Sequence, residues 1–474
     1  MPLFGHWADL PPELVCRIGD FLDLKCYASA RGGCTAWRCA LAPPSPSLLL
    51  VPDDDACSPS AASISTRRSF QLKSTPPGTH CVGASNGWLA LCVYIYSGQS
   101  MLSLFNPTIA SKIALPALIH GSSNRVSKIV LAPNPALDDF VAAAICSTDR
   151  LAYVTAGARR WAVLDPVRLA VGDHLTDLVY HENERKGLVY CLTSHGDVHV
   201  LRLPERRRRE PLFADEPSPL PLLPITRPRR EFTAVTAQRI EDDRRRRAHH
   251  LYAMIHKRTL GPDLNARANV EPLLSLPFNP ATSFAPPYNK VSTFTSAKNL
   301  VFCEGNLYQI WRNTSCTVTL QLPGGGRRRV AENEVFVLRY YPQRQPCWDA
   351  VTDLGGYSVF VGRNNAVSVC AQGVPGLKGN CVYWIGGRGR DQCMVFDMAT
   401  GKTTACLQAA AAAAGAVPQI TICWYTSSPA LEFAAFMERL NKQHSTDASI
   451  LLVSELRSLF YSIHSSTKNE TNYY

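Results

Sequence analysis

The segment Gly83-Ala84-Ser85-Asn86-Gly87-Trp88-Leu89-Ala90-Leu91-Cys92-Val93-Tyr94 is a tight turn that opens into an apolar run. Residues 83–87 also spell G-x-S-x-G, the pattern of a hydrolase nucleophile elbow. That motif needs a strand before the serine and a helix after it, whereas here the chain continues as a strand. The segment therefore reads as the first of many short strands.

Working outward, runs rich in β-branched and aromatic residues and bounded by Gly, Pro, Asn or Asp recur at 88–96, 101–105, 128–131, 140–146, 151–155, 188–192 and 198–203. The series resumes at 250–256, 300–302, 307–311, 334–341, 357–361, 381–385 and 393–396. Between residues 80 and 425 helical periodicity is almost absent. Many short strands at near-regular spacing predict a closed or sandwiched all-β domain. A loose internal echo favours the β-propeller (kelch-like) over the sandwich. Arg160-Trp161 to Leu164-Asp165 resembles Cys347-Trp348 to Leu354, and residues 187–203 share a strand, turn, strand character with 380–404.

The first forty residues differ. Pro11 and Pro12 suit a helix's first turn, with Asp9 placed to cap it, and Leu14, Ile18, Phe21 and Leu22 recur at helical spacing. A second helix is expected over 24–30 and a third over 35–41, ended by Gly and Pro respectively. Phe21, Leu24 and Cys34 are expected to pack the helices together. Leu10 and Pro11 precede the first apolar turn and cannot all face inward. The expected organisation is a three-helix domain at 5–42, a Pro/Ser-rich linker leading onward at 43–79, the β domain at 80–427 with an Arg-rich insert at 205–248, and a partly helical C-terminal extension at 428–474. In that extension Phe433, Phe436, Met437 and Leu440 share one helical face.

With 474 residues, 46% hydrophobic and 18% charged, the chain has apolar material for a packed interior and more length than one small core needs. The net charge of +11 raises nucleic acid as a partner. Much of the excess, however, lies in four arginine runs at 206–209, 227–230, 244–247 and 327–329, which read as solvated loops rather than a recognition face. Nucleic acid is therefore not expected as a partner. Neither a signal peptide nor a membrane-spanning apolar stretch is read, so a nuclear or cytoplasmic setting is expected, with the 17 cysteines kept as thiols.

Chemistry-bearing patterns are few. Gly401-Lys402-Thr403 has Phe396 where a phosphate loop would place its leading glycine, so it reads as a hairpin turn. His195 and His199, four apart beside Gly196-Asp197, do not converge on a hairpin, and no Cys-x-x-Cys supplements them. Residues 386–389 lack dinucleotide spacing. No catalytic residue, metal site or cofactor is expected.

Trp7-Ala8-Asp9-Leu10-Pro11-Pro12-Glu13-Leu14, then Ile18, Leu22 and Leu24, then Cys34, Trp37 and Arg38 resemble, in order, the F-box motif. The remainder resembles the plant F-box family that carries the domain of unknown function 295, the KIB-type β-propellers. The matching pieces include Ser85-Asn86-Gly87-Trp88-Leu89, Leu104-Phe105-Asn106-Pro107, Gly376-Leu377-Lys378-Gly379-Asn380, Val395-Phe396-Asp397 and Trp424-Tyr425-Thr426. The insert at 205–248 and the segment after about 430 have no counterpart in that resemblance.

The resemblance implies a non-catalytic substrate receptor of a ubiquitin ligase of the SCF (Skp-cullin-F-box) type. Leu10, Pro11, Leu14, Ile18, Leu22 and Trp37 would contact a Skp-family adaptor, through it a cullin, and the propeller would hold a target protein not named by the sequence. The alternatives are a binding module that sequesters a partner without ubiquitination, and a propeller enzyme.

Overall fold

The computed structural model describes residues 9–22, 24–41, 47–52, 60–63, 69–71, 80–94, 99–107, 111–119, 126–183, 186–203, 269–273, 278–322, 324–362, 366–372, 374, 376–385, 393–406 and 419–425. By its internal contacts the chain divides into one unit of residues 1–205 with 269–474 and a second of 206–268. The first three arginine runs, the expected strand at 250–256, the alanine-rich stretch at 409–414 and the C-terminal extension lie outside the described residues.

Three helices come first: α1 (Pro12–Phe21), α2 (Leu24–Gly33) and α3 (Thr35–Ala40). Pro12 opens α1 at a position where a missing N–H costs nothing. The cap residue is Pro11, with no side-chain hydrogen bond, so Asp9 stands too far upstream to serve as expected. Cys34 caps α3 instead, its Sγ accepting from the Trp37 amide at 3.4 Å. The small core holds Val15 and Leu41, each 2% exposed, and Gly19 lets Leu41 and Tyr27 approach the α1 backbone. Phe21, expected inside, is 59% exposed. In that last turn of α1 it is Gly19, and not Phe21, that meets the core.

Among the described residues the strands form six sheets of four or five members and one two-stranded hairpin. β1 (Ser47–Pro52), β2 (Ser60–Ser63) and β3 (Ser69–Gln71) begin the first sheet, inside the stretch read as linker. β4 (His80–Ser85), β5 (Trp88–Tyr94), β6 (Gln99–Asn106), β7 (Ser111–Ala114) and β8 (Leu118–Ile119) make the second. The third contains β9 (Lys128–Leu131), β10 (Val141–Ile145), β11 (Leu151–Thr155) and β12 (Ala162–Val163). The fourth contains β13 (Leu175–Asn183), β14 (Lys186–Thr193), β15 (Val198–Arg202) and β16 (Asn269–Pro272). The Arg-rich insert thus falls between two neighbouring antiparallel strands.

Two short helices, α4 (Pro280–Ser283) and α5 (Tyr288–Val291), precede the fifth sheet. Its members are β17 (Ala297–Cys303), β18 (Asn306–Arg312), β21 (Val335–Tyr340) and β22 (Trp348–Ala350), and between β18 and β21 lies the hairpin of β19 (Val318–Gln321) and β20 (Arg327–Val330). The fourth arginine run is therefore a strand and not a loop. Alternation along β20 leaves Arg327 and Arg329 exposed and turns Arg328 onto Phe336, 5.8 Å from the ring, and Glu334, at 3.0 Å.

The sixth sheet holds β23 (Tyr357–Val361), β24 (Ala366–Cys370), β25 (Cys381–Ile385), β26 (Cys393–Asp397) and β27 (Lys402–Ala405). Here β23 pairs antiparallel with β24 on one side and parallel with β25 on the other. Finally β28 (Gln419–Tyr425) returns to pair with β1, making the first sheet a composite of both ends of the domain.

Contacts run from β28 to β4, β9, β13, β17 and β24 in turn. Trp424 of β28 then packs on Phe360 and Tyr383 of the sixth sheet and donates to the Val361 carbonyl at 3.0 Å, which completes a β-propeller. The apolar clusters lie between adjacent sheets, as blades that bury their faces on one another require. Trp311, Trp348, Trp384 and Trp424 are fully buried.

The opening segment of the β domain shows why its residues matter. Asn86 (φ 48°) and Gly87 (φ 80°) form the hairpin turn between β4 and β5, a backbone that suits an Asn-Gly pair. At Gly83 a Cβ would stand 2.0 Å from the Ile129 carbonyl oxygen, so this glycine lets β4 approach β9. The G-x-S-x-G pattern is strand, turn, strand.

Candidate functional site

On the helical domain, Leu14 is 40% and Phe21 59% exposed. Pro11 is exposed, while Leu10, Ile18, Leu22 and Trp37 are half-buried. None of the six residues expected to meet an adaptor is closed off by the domain's own core.

On the propeller, two cavities mark the two ends of the seam between the fifth and sixth sheets. The larger, about 500 Å³, lies at the β17–β18 turn and the connection from β22 to β23. Arg339 projects there between Tyr308 and Tyr341, 6.0 and 5.0 Å from their rings, and donates to Asn306 Oδ1 at 2.7 Å. Glu304 and Asp353 also line it, so its charges are mixed. The smaller cavity, about 220 Å³, lies at the opposite end of β17, where Lys298 and Asn299 meet Arg312, Val361 and Trp384.

Arg312 lies over the Trp384 ring, 4.1 Å from its centre, and donates to Asn333 Oδ1 at 2.9 Å. Burial holds its pKa down to about 10, still charged at neutral pH. Lys298 is 5% exposed, and its Nζ donates to the carbonyls of Ser194 (2.7 Å), Ser292 (2.7 Å) and Thr295 (2.5 Å). Burial lowers it to about 8. Its bonds tie the β14–β15 turn to the segment before β17.

Asp177, on β13, is the neighbouring buried charge. It forms an ion pair with Lys128 of β9, the two being 1% and 2% exposed, and its Oδ2 accepts the Leu300 amide of β17 at 2.7 Å. One carboxylate thus joins three successive sheets. Its role is structural.

The Gly376-Leu377-Lys378-Gly379-Asn380 segment is structural as well. Asn380 (φ 56°) accepts the Leu354 and Gly356 amides on its Oδ1, at 2.9 and 3.2 Å, and Lys378 ion-pairs with Asp397. The loop that carries the chain from the fifth sheet to the sixth is thereby pinned. Asp397 also accepts the Ala399 and Thr400 amides, which makes Gly401 (φ 68°) part of a β26–β27 hairpin turn, as the sequence suggested.

His195 stands 3.8 Å from Asp173, while His199 stands 3.4 Å from Asp197, so each imidazole faces its own carboxylate. Among the described residues no three His, Cys, Asp or Glu side chains gather as a metal site. No helix there is long and apolar enough to cross a membrane.

A ring of sheets closed by its first and last strands is also what the comparison of the sequence with known families returns. Residues 58–403, well over half of the chain, match the KIB1-4 beta-propeller. The chain belongs to the KIB1-4 β-propeller family.

This KIB1-4 β-propeller matches no curated protein. Among solved structures it is similar to the WD40 domain of SCAP from fission yeast, at 8% identity and a TM-score of 0.30, over 76% of this chain and 62% of that one. It is also similar to the uncharacterized protein lmo1340 from Listeria monocytogenes EGD-e, at 9% identity and a TM-score of 0.19, over 70% of this chain and 95% of that one. Neither likeness carries an argument about function. The fold and the family support a protein-interaction module.

Proposed function

We propose that this KIB1-4 β-propeller is the non-catalytic substrate-recognition subunit of a ubiquitin ligase of the SCF (Skp-cullin-F-box) type. The observation that carries the reading is the open apolar face of a helical domain whose residues follow the F-box order. Leu14 is 40% exposed there, Phe21 59%, and Leu10, Ile18, Leu22 and Trp37 are only half-covered.

Burying one such side chain against a partner is worth roughly 1.5–3 kcal/mol. A few of them acting together account for specific docking of a Skp-family adaptor, and through it a cullin, in the nucleus or cytoplasm. The propeller holds the target protein, and its lysines are ubiquitinated by proximity to the charged enzyme, with no acid, base or nucleophile from this chain.

The test is co-purification with a Skp-family adaptor. Replacing Leu10 and Pro11 together by Ala is expected to abolish capture while the thermal transition of the propeller is unchanged. Undiminished capture would refute adaptor docking at this face. Capture of a target without adaptor or cullin would favour the sequestering module instead.

A further inference from the structure

The smaller cavity at the seam of the fifth and sixth sheets is lined in a way that apolar packing does not explain. Its wall combines the apolar Ile310, Val335, Val361 and Val382 with the guanidinium of Arg312 and the indole of Trp384. Among the described residues Arg312 has no carboxylate partner; its contacts are Asn333 and the Trp384 ring. Trp384 is 2% exposed, and its Nε1 is buried without a hydrogen-bond partner. A half-buried cation left uncompensated beside an unspent N–H donor is costly unless an acceptor in the cavity that both line meets them.

We propose that this cavity binds a carboxylate at the end of a short side chain, such as an acidic residue on a peptide segment of a partner protein, gripped by Arg312 and Trp384. Size argues for a single group. At about 220 Å³ the space is below the roughly 300–1,000 Å³ of sites that enclose a whole small molecule. Charge argues for an anion, because a guanidinium held over an aromatic ring keeps a planar fork of donors for a planar acceptor.

The donor count argues for a carboxylate over a phosphate. One Arg312 nitrogen is spent on Asn333, and the nearby Lys298 ammonium is committed to three backbone carbonyls. What remains suits two oxygens rather than three. Asp177, the buried carboxylate on neighbouring β13, is paired with Lys128 and leaves the Arg312 charge unmatched. The apolar walls cover the stem of the acidic side chain, so the free acid alone is a poorer fit than one carried on a methylene chain.

The inference does not rest on adaptor docking. A chain that binds the acidic probe but not the adaptor keeps it and loses the reading above.

The full-length chain labelled with 5-fluorotryptophan supplies the test, with Trp384→Phe identifying the Trp384 fluorine resonance. The probes are N-acetylglutamate methylamide, the matching glutamine compound and inorganic phosphate. The glutamate probe is expected to shift the Trp384 resonance saturably, with a dissociation constant of about 1 mM, the range for a fragment of this size. The glutamine compound is expected to leave it in place.

Arg312→Gln and Arg312→Lys should each weaken the glutamate response about tenfold or more, the first by removing the charge and the second by removing the fork. If Arg312→Gln does not fold, the glutamate and glutamine contrast in the unmodified chain decides alone. No saturable shift, equal binding of the two compounds, or unchanged affinity in a folded Arg312 variant would overturn the proposal. Saturation by phosphate in preference to glutamate would overturn the assignment to a carboxylate.

Discussion

Lys298 shows how a single side chain sets a pH dependence. Its ordinary pKa of 10.5 falls to about 8 because burial disfavours the ammonium, with Asp173 opposing in part. Below pH 8 both folded and unfolded chains carry the charge, and the full cost of burying it stands. Between about 8 and 10.5 the folded chain has lost the proton while the unfolded chain still binds it, so stability rises with pH through this window. A shift of this size corresponds to about 3 kcal/mol. Denaturant midpoints of the native chain and Lys298→Met, measured from pH 7 to 11, are expected to differ in slope there, the variant lacking the rise. Subtracting the two removes the opposite contribution of tyrosines such as Tyr383, whose ionisation burial pushes upward. The exposed Phe21 teaches a related lesson. Helical spacing shows which face a residue shares, but the size of the core decides how much of that face is covered.

At the level of the strand, what was legible followed the apolar pattern. The limits of β9, β11, β23 and β25 fall where β-branched runs meet their bounding residues, and in the echo between Trp161 and Trp348 the first stands just before β12 and the second opens β22, each an edge strand of its sheet. β13 was invisible because Thr176, Asp177, His181 and Glu182 interrupt the run. Two of them join sheets, Asp177 to Lys128 and Leu300 and His181 to the Phe302 ring, which no local pattern records. Asp177→Ala is expected to destabilise the propeller by about 3–5 kcal/mol by stranding the Lys128 ammonium in the interior. Asp177→Leu combined with Lys128→Met should cost less than Asp177→Ala alone, as read from urea midpoints. The smaller seam cavity escaped sequence reading for the same reason. Its lining comes from β13, β17, β18, β21, β23 and β25, and only packing of two sheets brings Arg312 onto Trp384.

For the whole molecule, the composite first sheet makes the two ends of the propeller depend on each other. A chain ended before Gln419 lacks β28 and with it Trp424, whose ring fills the seam beside Phe360 and Tyr383. Loss of such a fully buried aromatic alone costs about 3–5 kcal/mol, and here the strand pairing goes with it. That truncation is expected to lower the melting temperature and expose the β1 edge to aggregation, measured by scanning fluorimetry and light scattering.

The same closure sets a timetable for synthesis. The helices are complete by residue 41, but the ring cannot shut until residue 425 has emerged. At about 5–20 residues per second that interval lasts roughly 20–80 s. Throughout it the open apolar helices precede an unfinished propeller out of the ribosome, so on the proposed function an adaptor would reach them before the propeller closes. A propeller built in this order exposes its helices to a binding partner while it is still being made.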